Sequence, residues 1–397
     1  MRDRQQPVTP PAPARVLIAD DQIDVLEAIK MLLSGCGLAT ETVTHPARVL
    51  RSLETGHFDA VLMDLNYTGI SHEGREGLEL VSQIHSMDSL LPVVVMTAWG
   101  SVDIAVEAMR RGASDFVEKP WDNREFLQKL LTQVACAREQ RRAQRRHDQE
   151  LQEAREIQER LLPQRLPGVP GYEVAAMTQP LRFVGGDYYS VVRVSQRHTA
   201  LCIADVAGKG LPAALLMSSL QAALTPLMCR NLTPRELCHQ LNGILCELTP
   251  LGKFITFFYA VLDNFENRLT YCNAGHNPPL LIRLDGACTK LKATGAILGH
   301  SPQWVYEQNE MQMGTGDRLL LFTDGLVEAA NADDTLFGEH NLITIARENP
   351  VYGAEELMRA LFHAALQHSD ERFQDDATLI VLKAVDAATG VATGEVQ

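Results

Sequence analysis

A stretch of 41 residues, Asp122 to Leu162, contains neither Gly nor Pro and separates two segments that are each long enough to be a domain. Leu, Ala, Gln, Glu and Arg dominate it, the residues that lose least on entering a helix. As one helix it would reach about 60 Å, far beyond the usual helix of a compact domain. Apolar residues mark one face at the start (Leu127, Leu130, Leu131, Val134, Ala137) and return near the end (Leu151, Ala154, Ile157, Leu161). Between them runs a basic block of Arg138, Arg141, Arg142, Arg145 and Arg146. Two readings stand. The stretch is a solvated spacer, or it is a signalling helix that pairs with a second copy as a coiled coil and passes on a change of state. A coiled coil needs several unbroken heptads and this stripe is interrupted, so both stay open.

Two domains plus this linker suit a chain of 397 residues. The net charge of -14 argues against a nucleic-acid binder, whose affinity needs a basic surface. Eight cysteines (36, 136, 202, 229, 238, 246, 272, 288) form no CxxC pair. That suits reduced thiols in the cytoplasm better than a disulfide frame or a zinc site. No apolar run is expected to span a membrane, and the start of the chain lacks the apolar core of a signal peptide. Residues 1–14, with Pro7, Pro10, Pro11 and Pro13, and residues 386–397 read as disordered tails.

From Arg15 to residue 135, short β-like runs alternate with helical patterns. Strands are expected at 16–19, 59–63, 91–96 and 115–118, and helices at 23–34, 77–87 and 101–111. Such alternation implies βαβ units and a parallel sheet covered on both faces, with the ligand site beyond the carboxyl ends of the strands. Asp20, Asp21, Asp64, Thr97 and Lys119 fall at those ends. Three carboxylates on one edge repel unless a hard cation offsets them, and Mg²⁺ is the natural choice. An acidic pair alone would be an ordinary helix cap; the full set in this order is far more specific.

This segment resembles the receiver domain of two-component response regulators, an α/β doubly wound, flavodoxin-like fold with a five-stranded parallel sheet. The resemblance implies that Asp64 accepts a phosphoryl group from a histidine kinase. Asp20, Asp21, Asp64 and the carbonyl of Asn66 would hold Mg²⁺, Thr97 and Lys119 would contact phosphoryl oxygens, and Phe116 would be the aromatic switch. One departure is a longer loop after Asn66-Tyr67, which runs TGISHEGREG before the next helix.

Pro163, Pro167, Gly168, Pro170 and Gly171 end the linker, read as 122–163 and continuous with the last receiver helix, and open a second domain over 164–385. Strand-like runs at 172–178, 188–194, 199–204, 255–263, 268–273, 278–284, 304–312, 318–322 and 378–384 accompany helical stretches at 211–228, 234–248 and 354–368. Strands with helices grouped apart suggest an α+β domain, a two-sheet sandwich flanked by helices. Its chemistry lies in acidic turns: Gly185-Gly186-Asp187, Asp205-Val206-Ala207-Gly208-Lys209-Gly210, Phe322-Thr323-Asp324-Gly325 and Asp375-Asp376-Ala377-Thr378. Each alone is an ordinary strand-ending turn. Together they offer an all-oxygen site suited to Mg²⁺ or Mn²⁺.

The four turns in this order resemble the metal-dependent type 2C (PPM) serine/threonine phosphatases, and most closely their bacterial SpoIIE-type branch. The stretches Asn273-Ala274-Gly275-His276-Asn277-Pro278-Pro279 and Ile157-Gln158-Glu159-Arg160-Leu161-Leu162-Pro163 belong to that likeness. It implies two Mn²⁺ or Mg²⁺ ions, bridged by Asp205, with the Val206 carbonyl on one ion and Asp324 and Asp375 on the other. Asp187 would sit close by, and Asp376 is the lesser candidate of its pair. The ions would activate a water held by Asp205 for attack on a phosphomonoester. His276, tempting as a base, reads as part of a structured hairpin turn. The eukaryotic enzymes carry a proton-donating His where Ala207 stands here, so no general acid is identified, and Arg182 is a loose candidate for their phosphate-binding Arg.

The whole chain thus resembles a response regulator whose output is a phosphoserine/phosphothreonine phosphatase. The expected substrate is a phosphorylated STAS-domain anti-anti-sigma protein in a partner-switching pathway, with a homodimer through the linker helix. The rival reading is a catalytically weak, phosphatase-like adaptor that binds a sigma-regulatory partner in a phosphorylation-dependent way.

Overall fold

The apolar run after Arg15 forms β1 (Arg15–Ala19), buried from Val16 onward. The computed structural model describes residues 13–66, 75–98 and 102–386. Most of both expected tails and of the loop after Asn66 therefore lies outside the described residues. Ala14, expected in a tail, is instead buried, and its carbonyl accepts the Ala39 N–H at 2.8 Å.

The chain divides into two compact units between Gln149 and Glu150. In the first, β1 is followed by α1 (Ile23–Gly35), β2 (Ala39–Val43), α2 (Pro46–Thr55), β3 (Ala60–Asp64), α3 (Arg75–Met87), β4 (Val93–Ala98), α4 (Val102–Arg110) and β5 (Asp115–Lys119). The strands form one parallel sheet in the order β2-β1-β3-β4-β5, the flavodoxin-like arrangement. Leu17, Val61, Met63 and Val95 face α2, α3 and α4, while Val16, Ile18, Leu62 and Val94 face α1 and the helix after β5. Burial on both faces explains why these strands read as unbroken apolar runs. β2 and α2 escaped the sequence reading. β2 is a half-exposed edge strand of sequence ATETV, and α2 buries only Val49 among its ten residues.

The Gly- and Pro-free stretch is a single helix, α5 (Asn123–Leu161). Asp122 caps it, accepting the Arg124 and Glu125 N–H groups at 2.9 and 3.1 Å. Its buried face is Phe126, Leu130, Val134 and Ala137; Leu131, expected on that face, is 40% exposed. Phe126 stacks on Trp121 at 5.3 Å between centroids. Phe126→Ala is therefore expected to cost about 3–5 kcal/mol, read from urea unfolding of the full chain. The basic block is not simply solvated. Arg138 grips both oxygens of Asp59 at 2.7 and 2.9 Å, and Arg141 reaches Asp88 at 2.5 Å and the Phe58 carbonyl at 3.1 Å. Burial works against ionisation of Asp59, yet Arg138 and the Arg15 N–H hold its carboxyl below the usual range.

In the second unit the order is β6 (Tyr172–Gln179), β7 (Tyr188–Arg193), β8 (His198–Val206), α6 (Leu211–Met228), α7 (Pro234–Leu248), β9 (Ile255–Asp263) and β10 (Arg268–Ala274). Then come β11 (Leu280–Ile282), β12 (Cys288–Lys290), β13 (Asn309–Gln312), β14 (Arg318–Phe322), α8 (Asp324–Val327), α9 (Gly338–Glu348), α10 (Ala354–His368) and β15 (Ala377–Ala384). Two antiparallel sheets result, β13-β10-β9-β8-β7 and β12-β11-β14-β15-β6. Period-two alternation sorts their side chains. Leu201, Ile203, Leu319, Leu321, Ile380 and Leu382 fill the space between the sheets. Cys202 and Ala204 face α6 and α7 on one outer side, while Leu320, Phe322 and Val381 face α9 and α10 on the other.

Several sequence expectations need correcting here. The run 304–312 is strand only over Asn309–Gln312, and 278–284 shrinks to Leu280–Ile282 after Pro278 and Pro279, which have no N–H to donate. β12, α8 and α9 were not foreseen, being short or half polar. The expectation that no apolar run approaches a membrane span also fails by length and composition: α6 has 18 residues without a charge. Its Ala213, Met217, Leu220 and Leu224 are buried in the packed core. All eight cysteines are free thiols.

Candidate functional site

Acidic residues gather at strand ends in both units. In the first, Asp20 follows β1 and Asp64 ends β3, and carboxylate oxygens of Asp20, Asp21 and Asp64 lie within 4.8 Å of one another. Lys119, at the end of β5, donates to Asp20 Oδ2 and Asp64 Oδ2, each at 2.8 Å. Burial raises the Asp64 carboxyl above its usual range, with the Lys119 ammonium opposing. Burial pulls Lys119 down, but its two carboxylate partners outweigh it and the net shift is upward. The Asn66 N–H donates to Asp64 Oδ1 at 3.2 Å, and Thr97 is buried near the end of β4. Phe116 is 36% exposed, with the Lys129 ammonium 5.2 Å from its ring centroid. An all-oxygen trio this close fits one hard divalent cation.

The second centre is built from four turns. β8 ends at Asp205 and Val206, β14 leads through Thr323 to Asp324, and Asp375 and Asp376 precede β15. The turn before β7 brings Asp187 in. Asp187 Oδ2 accepts the Thr323 and Thr378 hydroxyls at 2.7 and 2.6 Å. Its Oδ1 is buried and, among the described residues, has no hydrogen-bond partner. A buried orphan of that kind is costly and asks for a ligand. Burial and then the Asp205 charge push the Asp187 carboxyl well above its usual range. Burial, then Asp324, Asp375 and Asp376, push Asp205 to about 7. Asp324 is raised by burial and then by Glu328 and Asp375. A Cβ built on Gly186 would lie 3.0 Å from the Val206 carbonyl oxygen, so the glycine leaves that oxygen accessible. Carboxylates that repel one another, an orphaned oxygen and an uncovered carbonyl fit divalent cations with oxygen ligands. They are spread more widely than the first trio: among the described residues, no three of their oxygens close to within 4.8 Å.

Asp376 does something else. Its Oδ1 accepts the Leu181 N–H at 2.8 Å and its Oδ2 accepts the Gly186 N–H at 2.6 Å. A Cβ on Gly185 would meet Asp376 Oδ2 at 2.6 Å, and one on Gly325 would meet the Asp376 carbonyl at 2.2 Å. Both turns need glycine there. His276 is buried, and burial draws its imidazole down to about 4. Its Nδ1 lies 2.9 Å from the Thr256 hydroxyl, and Asn273 braces its backbone N–H and carbonyl at 2.8 and 3.2 Å. A neutral imidazole in a braced turn is what the geometry provides.

The structure adds Lys209 and Gln158, which the sequence shows only inside motifs, and Lys253, which no motif contains. Lys209 pairs with Asp375 Oδ2 at 2.7 Å, and Lys253 donates to the Ala207 carbonyl at 3.0 Å. Gln158, near the end of α5, makes a two-way contact with Gly185: its Nε2 donates to the carbonyl at 2.7 Å and its Oε1 accepts the N–H at 3.0 Å. Arg182 comes beside Gly210, where a built Cβ would lie 3.7 Å from Nη1.

Residues 195–385 match the family described as Stage II sporulation protein E (SpoIIE), and residues 16–131 match the response regulator receiver domain. Phosphoserine phosphatase RsbU of Bacillus subtilis (strain 168) is 31% identical over 235 residues, covering 59% of this chain and 70% of RsbU. Protein IcfG of Synechocystis sp. (strain ATCC 27184 / PCC 6803 / Kazusa) is 27% identical over 263 residues, and the match covers 59% of this chain but 41% of IcfG. Among solved structures, the SiaA-PP2C domain of Pseudomonas aeruginosa shares the fold, with a TM-score of 0.55 and 20% identity over 61% of this chain and 98% of that domain.

Proposed function

The chain belongs to the SpoIIE family of PP2C-type phosphatases and carries a response regulator receiver domain ahead of that module, and from this premise we propose a phosphorylation-controlled, metal-dependent phosphoserine/phosphothreonine protein phosphatase. The observation that carries the catalytic part is the carboxylate centre of Asp187, Asp205, Asp324 and Asp375, where Asp187 keeps one buried oxygen without a partner. Asp205, with the Val206 carbonyl, would hold both ions, and Asp324 and Asp375 would complete the second. Bound there, divalent ions supply an activated water and offset charge on the phosphoryl oxygens. The chain's own residues hold that centre in place. Thr323 and Thr378 orient Asp187, and Asp376 fixes the glycine turn before it. Ala207 offers no proton, so the serine leaving group must take its proton from elsewhere.

In the receiver, Asp64 would accept a phosphoryl group from a histidine kinase. Mg²⁺ on Asp20, Asp21, Asp64 and the Asn66 carbonyl would offset the charge, and Lys119 and Thr97 would contact the new oxygens. Phe116 is the proposed aromatic switch. Its ammonium neighbour Lys129 lies on α5, as does the Gln158 that grips Gly185 two residues before Asp187. We read α5 as the element that links phosphorylation to the Asp187 turn. Gln158→Ala is expected to lower basal turnover by about tenfold, the equivalent of two ordinary hydrogen bonds, checked by steady-state kinetics with the Mn²⁺ requirement measured alongside.

The proposed substrate is a phosphoserine protein, in keeping with the name phosphoserine phosphatase that RsbU carries, and within that class we propose a phosphorylated STAS-domain protein. The deciding experiment is Mn²⁺-dependent phosphate release from a generic phosphomonoester, with and without acetyl phosphate or beryllofluoride. Turnover that needs metal and changes with the phosphoryl mimic supports the whole reading. Turnover indifferent to the mimic removes the switch. No turnover in folded protein moves the reading to an adaptor.

A further inference from the structure

Building on the metal centre proposed above, we infer that Lys209 is a positioning residue that competes with a divalent ion for Asp375 and so sets how much metal the centre requires. The Lys209 ammonium lies 2.7 Å from Asp375 Oδ2 and donates to the Gln374 carbonyl at 2.7 Å. Its positive charge also reaches Asp205, Asp324 and Asp376, opposing the upward push that burial gives each of them. Two other cations lie near the same turn but are turned elsewhere. Lys253 points at the Ala207 carbonyl, and Arg182 lies beside Gly210. Among the described residues, Lys209 is the one cation of this turn paired with a carboxylate of the centre.

The backbone fixes that placement. Lys209 stands between Gly208 at φ +112° and Gly210 at φ +72°, conformations that side chains other than glycine resist. A Cβ on Gly208 would in addition lie 2.3 Å from the Lys253 ammonium nitrogen. The turn is thus built to deliver an ammonium onto β15's acidic leader. A divalent ion bound to the same Asp375 oxygen would meet this charge within a few ångströms, and like charges that close repel even in a half-exposed site. An ion can therefore take Asp375 Oδ2 only by displacing the ammonium, which its flexible four-carbon stem permits.

The test is a calorimetric Mn²⁺ titration of the full chain without substrate, at about pH 8 so that free carboxylates are ionised. Lys209→Gln removes the charge and keeps a hydrogen-bond donor on a stem one atom shorter; Lys209→Arg keeps the charge; Asp205→Ala serves as the blank for the centre. Lys209→Gln is expected to bind Asp205-dependent Mn²⁺ about tenfold or more tightly than the parent, with Lys209→Arg close to the parent. Unchanged or weaker binding in Lys209→Gln, with circular dichroism intact, overturns the inference. Equal weakening in both variants also overturns it, because that marks a purely structural brace. If the parent chain shows no Asp205-dependent binding, the metal-centre reading itself fails and this inference falls with it. That pattern is distinct from tight parental binding that Lys209→Gln leaves unmoved.

Discussion

Asp205→Ala is expected to abolish metal-dependent phosphate release, lowering kcat by about a thousandfold or more. Asp205 ends β8, and the charges of Asp324, Asp375 and Asp376 all act on it, while its own acts on Asp187. It is the acid of the centre on which three other carboxylates act together. The same electrostatics separate this loss from simple unfolding. A carboxyl pushed to about 7 by burial and neighbouring acids costs the fold energy while it is ionised, so its removal relieves repulsion. The sign follows from linkage: a carboxyl raised in the folded state destabilises at pH values above its unfolded range. Thermal melts without metal should therefore show the variant as stable as the parent or more so. The shift in melting temperature that Mn²⁺ gives the parent should vanish. A variant that melts early and is inactive would leave the catalytic assignment without support; an active one would sink it.

Asp64→Asn is expected to erase the response to a phosphoryl donor, so that turnover with and without beryllofluoride differs by a ratio of about 1. The amide fills the same space beside Lys119 but cannot act as the nucleophile, and it withdraws one of the two charges that the Lys119 ammonium bridges. The measurement is that ratio for parent and variant. A full response in the variant would remove Asp64 from the control of the enzyme. The expected loss is complete because the proposed signal enters at one oxygen.

Much of this was legible beforehand because the chemistry sits at the ends of apolar strands. Asp20, Asp64 and Lys119 could be placed on one edge once β1, β3 and β5 were read as parallel, and the structure brings them into contact. The four turns that carry Asp187, Asp205, Asp324 and Asp375 were also visible, because each follows or precedes a strong apolar run. What escaped were elements whose burial is one-sided. β2 is an edge strand of Thr and Glu, and α9 (Gly338–Glu348) buries only Leu342 and Ala346. The roles of Lys209 and Gln158 escaped for another reason. Their partners lie 166 and 27 residues away (209 to 375, 158 to 185), and no local period reports such a pairing. The buried stripe of α5 runs through Phe126 and Leu130, one turn apart, which turns Leu131 toward solvent, an offset that the apolar pattern alone does not report.

Asp376 bears on how such a centre can change over evolution. Through its two oxygens it fixes backbone 195 and 190 residues upstream, at Leu181 and Gly186. Its carbonyl sits where a side chain on Gly325 would have to go. One residue therefore spaces the segments that present Asp187 and Asp324, without facing the substrate in the proposed scheme. Its neighbour Asp375 has its carboxylate turned toward the Lys209 side. The two adjacent acids are not interchangeable, and a one-residue slip of the strand start would swap a gauge for a ligand. The rim of the site can therefore vary without moving the turns of Asp187 and Asp324, because the contacts that space them run through Asp376 behind it.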